Sequence, residues 1–373
     1  MTVIKTNQLR KGLCLAEDVI SPLGGVLLYK DTLIEEYHKD LLTAFTINSV
    51  KIQDFHSQGT KSKVKVGDAK LHQTKKEKQD ASIAINSPDV AKKDFQKQYA
   101  DAVHFIKNVM IEVEYTKKIP LMEIRSILKP LVDQVCEQPK ILFAKNQMRS
   151  NEEYTYQHLI GVSLISALIA KFMNYKENEL MAIALAGIFH DIGKTRISDE
   201  ILNKKGTLNQ YEFEEMKKHP LYGYEILKNI TGLHPGVALA ALEHHEREDG
   251  NGYPYGRKSY EIHPYGKIIA VADIFNAMTS ERVYKEAKNI YQVLKQLNAD
   301  AFGKLDPQVV RKLINGLLTY CVGNTVTLSG GKIGEIVFIN NQEPLSPLIK
   351  VGNDFIDLSQ RSDISIESMD LSQ

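Results

Sequence analysis

Apolar positions recur at three- and four-residue spacing from about residue 93 to residue 320. Phe95, Tyr99, Val103, Ile106 and Met110 form one such stripe, and Leu159, Val162, Leu164, Ile165 and Leu168 form another. That period predicts helices with one face turned to a core. Asn209, with Glu212 three residues on, is a capping-box signature and predicts a helix starting near Tyr211. Towards both ends of the chain the period shortens to two. Residues 326–328, 335–339, 348–351 and 355–358 read as short strands, punctuated by Gly330-Gly331, Asn340-Asn341 and Gly352-Asn353-Asp354. Near the start, Val19-Ile20 and Val26-Leu27-Leu28 flank Gly24-Gly25 as a hairpin, residues 34–45 have helical spacing, and Val50-Lys51-Ile52 alternates as a strand.

The expected fold class is therefore mainly α, an all-helical core with small β-rich N-terminal and C-terminal domains. The expected domains are a small mixed α/β domain over residues 1–56, a flexible lysine-rich linker over 57–92, a helical domain over 93–320 with its core at about 146–320, and a small β domain over 321–373. The linker reading follows from composition, because so few large apolar groups cannot offset the ordering entropy. No internal repeat is evident.

Composition narrows the function classes. With 43% hydrophobic and 25% charged residues, the 373-residue chain reads as an ordinary soluble protein. A formal net charge of +1 gives no global attraction to nucleic acid or membrane. The lysine-rich run lacks interleaved aromatics, so it reads as a solvated tether and not as a nucleic-acid surface. Cys14, Cys136 and Cys321 form no CxxC pair, which argues against a disulfide framework and a cysteine-based zinc site. No leader-like apolar run opens the chain, and no stretch of roughly 18 apolar residues occurs. The expected location is cytoplasmic.

The histidines carry the candidate chemistry. His190-Asp191 ends the apolar run LMAIALAGIFHDIGK, His219 is expected to close a helix at KKHP, and His244-His245 follow VALAALEHHE. Asp273 lies inside IIAVADIFNAM, and His158 opens HLIGVSLISALIA. Burying these groups unpaired is costly, whereas a shared metal centre would satisfy them together. Imidazole and carboxylate suit iron, manganese or zinc. On a helix, adjacent His244 and His245 would point about 100° apart, so they are expected to serve two neighbouring ions. Two metals about 3.5–4 Å apart with a carboxylate between them suit phosphoester hydrolysis, and Asp191 is the natural bridge. A lone buried histidine is more often a hydrogen-bonded core residue than a ligand, and it is the full set in register with apolar helices that outweighs this. His38, His56, His72, His104 and His234 are assigned to core or surface roles, and His263 to packing near the loop.

At these residues the sequence resembles the HD-GYP family, a branch of the HD phosphohydrolases. The likeness covers roughly residues 150 to 290, in HDIGKTRISDEILNKKGTLNQYEFEEMKKHP, HHEREDGNGYP and VADIFNAMTSERVYK. It implies an all-helical HD-type core, metal-dependent hydrolysis of cyclic di-GMP, and His158, His190, Asp191, His219, His244, His245 and Asp273 as ligands of two divalent ions. It adds Lys194 beside the reacting phosphate, and Arg282 and Lys285 as substrate-binding cations. Gly250 and Gly252 permit backbone unavailable to other residues, so Tyr253 sits on a shaped loop where it could line the pocket or only anchor the loop. The segments LRKGLCLAEDV and VLLYKDTLI look like the small domain that precedes some such cores.

Two departures matter. Some members carry a glutamate four residues before the first histidine, where this chain has Tyr154, with Glu153 one residue off; this favours two metals over three. The position three after Asp273, often aspartate in the family, is Asn276, which keeps hydrogen bonding but loses the carboxylate that a catalytic role there would use. The expected function is cutting of cyclic di-GMP to pGpG, with GMP as a further product. The alternatives are a weakly active cyclic-dinucleotide receptor or a hydrolase of a relative such as cyclic GMP-AMP. A protein partner through the terminal domains, or a homodimer through residues 93–145, is compatible with the pattern.

Overall fold

Two runs rich in alanine, leucine and isoleucine, residues 159–170 and 182–189, contain no charged side chain and are buried throughout. Such segments must be covered on every side, and they set the centre of the helical region. The computed structural model describes residues 2–20, 26–35, 38–39, 42–43, 47–53, 88–116, 118–143, 151–280 and 290–369. The chain divides into two units, Met1–Pro88 and Asp89–Gln373.

In the first unit, β1 (Thr2–Lys5) pairs antiparallel with a later strand, and β2 (Val19–Ile20) pairs antiparallel with β3 (Val26–Leu28). The partner of β1 is β4 (Ser49–Ile52), whose Val50 and Ile52 are buried while Ser49 and Lys51 are exposed, the alternation expected of a half-buried strand. The Gly24-Gly25 turn and parts of the expected 34–45 helix lie outside the described residues; residues 38–39 and 42–43 are helical.

In the second unit, the helices are α1 (Pro88–Thr116), α2 (Leu121–Glu137), α3 (Asn151–Phe172), α4 (Glu177–Phe189), α5 (Asp199–Leu202), α6 (Gln210–Met216), α7 (His219–Leu227), α8 (Pro235–Glu243), α9 (Pro264–Thr279), α10 (Ile290–Asp300) and α11 (Pro307–Thr319). α1 takes in residues 88–92 of the stretch read as linker, and residues 57–87 lie outside the described ones. The stripe on α1 is buried at Phe95, Val103, Ile106 and Met110. The Asn209–Glu212 capping box forms in both directions, with Glu212 N donating to Asn209 Oδ1 at 2.9 Å and Asn209 N to Glu212 Oε2 at 2.7 Å.

α3 packs against α4 and α9, and α8 against α4 and α9. The first pair approaches closely because Gly187 lacks a side chain: a Cβ there would lie 2.5 Å from Ser163 Cα. After α11 the chain forms β5 (Thr325–Leu328), β6 (Ile333–Phe338), β7 (Leu348–Val351), β8 (Asp354–Asp357) and β9 (Ile366–Met369), an antiparallel sheet in the order β8-β7-β6-β5-β9. β9 has no counterpart in the sequence reading, because IESM shows no alternation of large apolar residues. Val326, Leu328, Ile336, Ile349 and Met369 join the same continuous set of buried side chains as the helices. The described chain is mainly α, with small strand-containing segments towards both ends. Among the described residues no helix is long and apolar enough to cross a membrane.

Candidate metal centre

Three histidines lie where a helix has just ended. The Nδ1 atom of His190 is 2.7 Å from Gly187 O at the end of α4, that of His219 is 2.8 Å from Met216 O at the end of α6, and that of His244 is 2.9 Å from Ala241 O at the end of α8. The last carbonyls of a helix have no intrahelical donor, so each is free to take a ring proton. A carbonyl only accepts, so Nδ1 carries a proton, and in the neutral ring Nε2 keeps its lone pair. Those Nε2 atoms converge on Asp191, which holds the His190 imidazole above its ordinary pKa against the effect of burial. His219 Nε2 is 3.3 Å and His244 Nε2 is 3.8 Å from Asp191 Oδ1, while His190 Nε2 is 3.3 Å from Asp191 Oδ2. Lys194, on the 3-10 turn Ile192–Arg196, reaches Asp191 Oδ2 at 2.6 Å. Gly193 allows this turn to touch α7, because a Cβ there would fall 1.9 Å from His219 O.

The donor atoms fall into two groups, Asp191, His219, His244 and His245 in one and His158, His190 and Asp273 in the other, each within 4.8 Å of one another. The residues fit a bound cation. Asp191 Oδ1 and His190 Nε2 are buried without a hydrogen-bond partner among the described residues, and the Nε2 atoms of His219 and His244 face each other at 3.4 Å. Burial, with the neighbouring histidines, pushes His244 and His245 well below the ordinary imidazole pKa, which keeps them neutral. Burial would raise Asp191, but Lys194 and His190 outweigh it and hold the carboxyl well below its usual range. Asp273 is likewise brought to about 2, against burial, by His158 and His190. Burial works against the charge on Lys194, yet Asp191 holds it above the usual lysine value.

Several expectations are revised. His219 does not close a helix: α6 ends at Met216 and His219 begins α7. His158 lies well inside α3, which starts at Asn151. His244 and His245 do not serve separate groups. His244 is the cap after α8 and His245 lies beyond it, and both turn to one group with ring centroids 4.1 Å apart. Tyr253 lies flat against His245, centroids 4.6 Å apart and planes 25° apart. Asn276, buried on α9, donates to His158. Tyr154 stacks on His158 at 6.1 Å. Arg282, Lys285, His56 and His72 lie outside the described residues, as does the side chain of Glu153. His234 and His263 act as N-caps of α8 and α9, and His38 accepts from Glu35 N.

The sequence reading missed what holds the loop of Tyr253. Buried Glu246 accepts from Tyr255 N at 2.8 Å and Arg257 N at 2.9 Å, and buried Glu243 accepts from His263 N and from the Arg257 guanidinium. Gly250 has φ +81°, whereas Gly252 is required by contact: a Cβ there would lie 2.4 Å from Glu246 Cα. The signal was available in Glu243 and Glu246, charged residues flanking the His pair at the end of an apolar run.

The stretch that holds this histidine- and aspartate-lined centre is similar to known proteins. Residues 133–309 match the family described as the HD domain. The chain is 33% identical over 225 residues, 59% of its length and 54% of the other's, to the cyclic di-GMP phosphodiesterase PA4108 of Pseudomonas aeruginosa. It is 39% identical over 184 residues, 49% of each chain, to a cyclic di-GMP phosphodiesterase of Thermotoga maritima. It is 32% identical over 176 residues, 47% of this chain and 41% of the other, to the 3'3'-cGAMP-specific phosphodiesterase 1 of Vibrio cholerae. The chain spans about half the length of these relatives. Residues 133–309 are thus similar to the HD domain, and they include Gly252-Tyr253-Pro254.

Proposed function

We propose that the chain is a metal-dependent phosphodiesterase that opens cyclic di-GMP to linear pGpG and cuts further to GMP. The observation that carries this reading is the convergence of the Nε2 atoms of His190, His219 and His244, each ring fixed at Nδ1 by a helix-end carbonyl, around one buried carboxylate. His158, His190, Asp191, His219, His244, His245 and Asp273 would hold two divalent ions, iron or manganese, which when bound supply an activated water and offset charge on the phosphoryl oxygens. The chain's own groups do the rest. Asp191 reaches both sets of nitrogens, so it fixes their spacing. Lys194, charged and partly exposed beside Asp191, offers its ammonium to a phosphoryl oxygen. Burial pushes the Tyr253 phenol up, so it stays protonated and can donate to substrate from its place on His245. Arg282 and Lys285, assigned by resemblance, complete the phosphate contacts.

The test is product analysis of the purified chain, loaded with Mn²⁺ or Fe²⁺ and incubated with cyclic di-GMP. Release of pGpG supports the proposal, and absence of product from the metal-loaded chain contradicts it. A parallel incubation with 3'3'-cGAMP addresses a second reading favoured by the Vibrio cholerae relative; preferred cutting there would move the substrate. Binding of cyclic di-GMP without product would favour a receptor, the reading to which Asn276 leans.

A further inference from the structure

Unlike His190, His219 and His244, His158 is a ligand candidate whose ring is not oriented by a helix-end carbonyl. It sits inside α3, where the backbone acceptors are engaged by the helix itself, so Nδ1 must find a side chain. It finds Asn276 Nδ2 at 2.9 Å, and the same amide nitrogen reaches His158 O at 3.4 Å. An amide nitrogen only donates, so Nδ1 holds the lone pair and Nε2 carries the proton. That proton points at Asp273, whose Oδ1 is 3.1 Å from Nε2. Ser280 Oγ donates to Asn276 Oδ1 at 3.4 Å, which holds the carboxamide the same way round. The slot is cut to fit: a Cβ at Gly161, on the neighbouring turn of α3, would lie 2.4 Å from Asn276 Oδ1 and 2.9 Å from its Cγ and Nδ2.

We infer that Asn276, seated against Gly161, is a positioning residue that holds His158 with its proton on Nε2, so that His158 is withheld from the metal centre until the carboxamide turns over. This rests on reading the cluster as a metal centre. For Nε2 to present a lone pair, its proton must leave and one must be taken up at Nδ1, with no net change in protonation. Asn276 must then turn so that Oδ1 accepts from Nδ1, giving up the hydrogen bonds to His158 O and from Ser280. An aspartate at 276 would offer an acceptor to Nδ1 in either orientation. His190, His219 and His244 need no such rearrangement, because their carbonyls already hold the proton on Nδ1.

The test begins with ring-nitrogen NMR of the metal-free full chain carrying ¹⁵N-histidine, with His158 assigned by His158→Gln. His158 is expected as the Nε2–H tautomer and His190, His219 and His244 as Nδ1–H; His158 found as Nδ1–H overturns the inference. In Asn276→Asp, His158 should change to Nδ1–H and Mn²⁺ should bind about 10- to 100-fold tighter, the range typical of partners that orient a ligand. In Gly161→Ala, which displaces Asn276, the Nε2–H signature of His158 should be lost while the other three rings keep theirs. An unchanged His158 tautomer in both variants also overturns it. The tautomer is read without metal or substrate, so it decides the role of Asn276 even if the proposed reaction is wrong.

Discussion

α8 carries a histidine at each end, and the two ends prepare them for opposite tasks. At its start, His234 Nδ1 accepts from Gly236 N at 3.1 Å; at its close, His244 Nδ1 lies 2.9 Å from Ala241 O. His263 repeats the first arrangement at the start of α9, with Tyr265 N at 3.1 Å. His190 and His219 repeat the second. A helix start offers unused donors and a helix end unused acceptors, so the same side chain emerges as a cap from one and as a bare-Nε2 ligand from the other. Residue type and apolar neighbours do not separate the two classes. The end of the helix does.

The sharpest way to break this comparison is to truncate both histidines of α8. His244→Ala should weaken Mn²⁺ binding by at least about 100-fold, more than loss of an orienting partner would. His234→Ala should leave metal content unchanged and cost about 0.5–2 kcal/mol as a lost N-cap, read by chemical denaturation. Equal loss of metal in both would end the distinction. Next comes Gly193→Ala, whose Cβ would meet His219 O, a backbone atom that cannot swing away. Overpacking of this kind costs about 1–3 kcal/mol and should also loosen metal binding by moving α7; a variant as stable and as well loaded as the parent would refute the close approach.

What was legible in the sequence divides along the same line. His190, Asp191, His244 and Asp273 stood out because polar groups interrupt apolar runs, and the helices were legible from period alone. The hydrogen-bond direction at each ring was not, because it depends on where the helix stops, and that boundary shifts by a residue or two without any change in pattern. The same uncertainty made His244 and His245 look helical and divergent, and put His219 at the wrong end of a helix. The Glu243–Arg257–Glu246 clamp was missed because its members meet only once the loop has folded back over α8.

That clamp gives a prediction of similar size. Arg257→Ala leaves the Glu243 carboxylate, 1% exposed, without its guanidinium, at a cost of about 1–3 kcal/mol. Because the loop carries Tyr253, the Michaelis constant for cyclic di-GMP should rise while the bound metal stays; loss of metal instead would mean that the loop supports the ligands directly.

The smallest effect concerns a third kind of helix start. Asp306 caps α11 by accepting from Gln308 N at 2.9 Å and Val309 N at 3.1 Å, and it pairs with Lys267 at 2.8 Å. Burial would raise its pKa, but Lys267 and the backbone donors outweigh that and lower it. A carboxyl depressed on folding stabilises above its unfolded pKa, about 4, and loses that contribution as pH falls through the lower folded value. Asp306→Asn keeps the cap and loses the pair, so it should cost about 1 kcal/mol or less at pH 7, a cost that shrinks as pH falls below the usual carboxylate range. A cost that persists in acid would show that the cap, and not the charge, is what the variant disturbs.

The central claim is that these side chains hold divalent ions. Elemental analysis of the purified chain after Mn²⁺ loading and desalting tests it most directly, beside His190→Ala/Asp191→Ala prepared in the same way. The account predicts about two ions per chain in the parent and loss of both in the variant, with folding verified by circular dichroism. A parent chain that retains no metal, or a folded variant that retains as much as the parent, would contradict it.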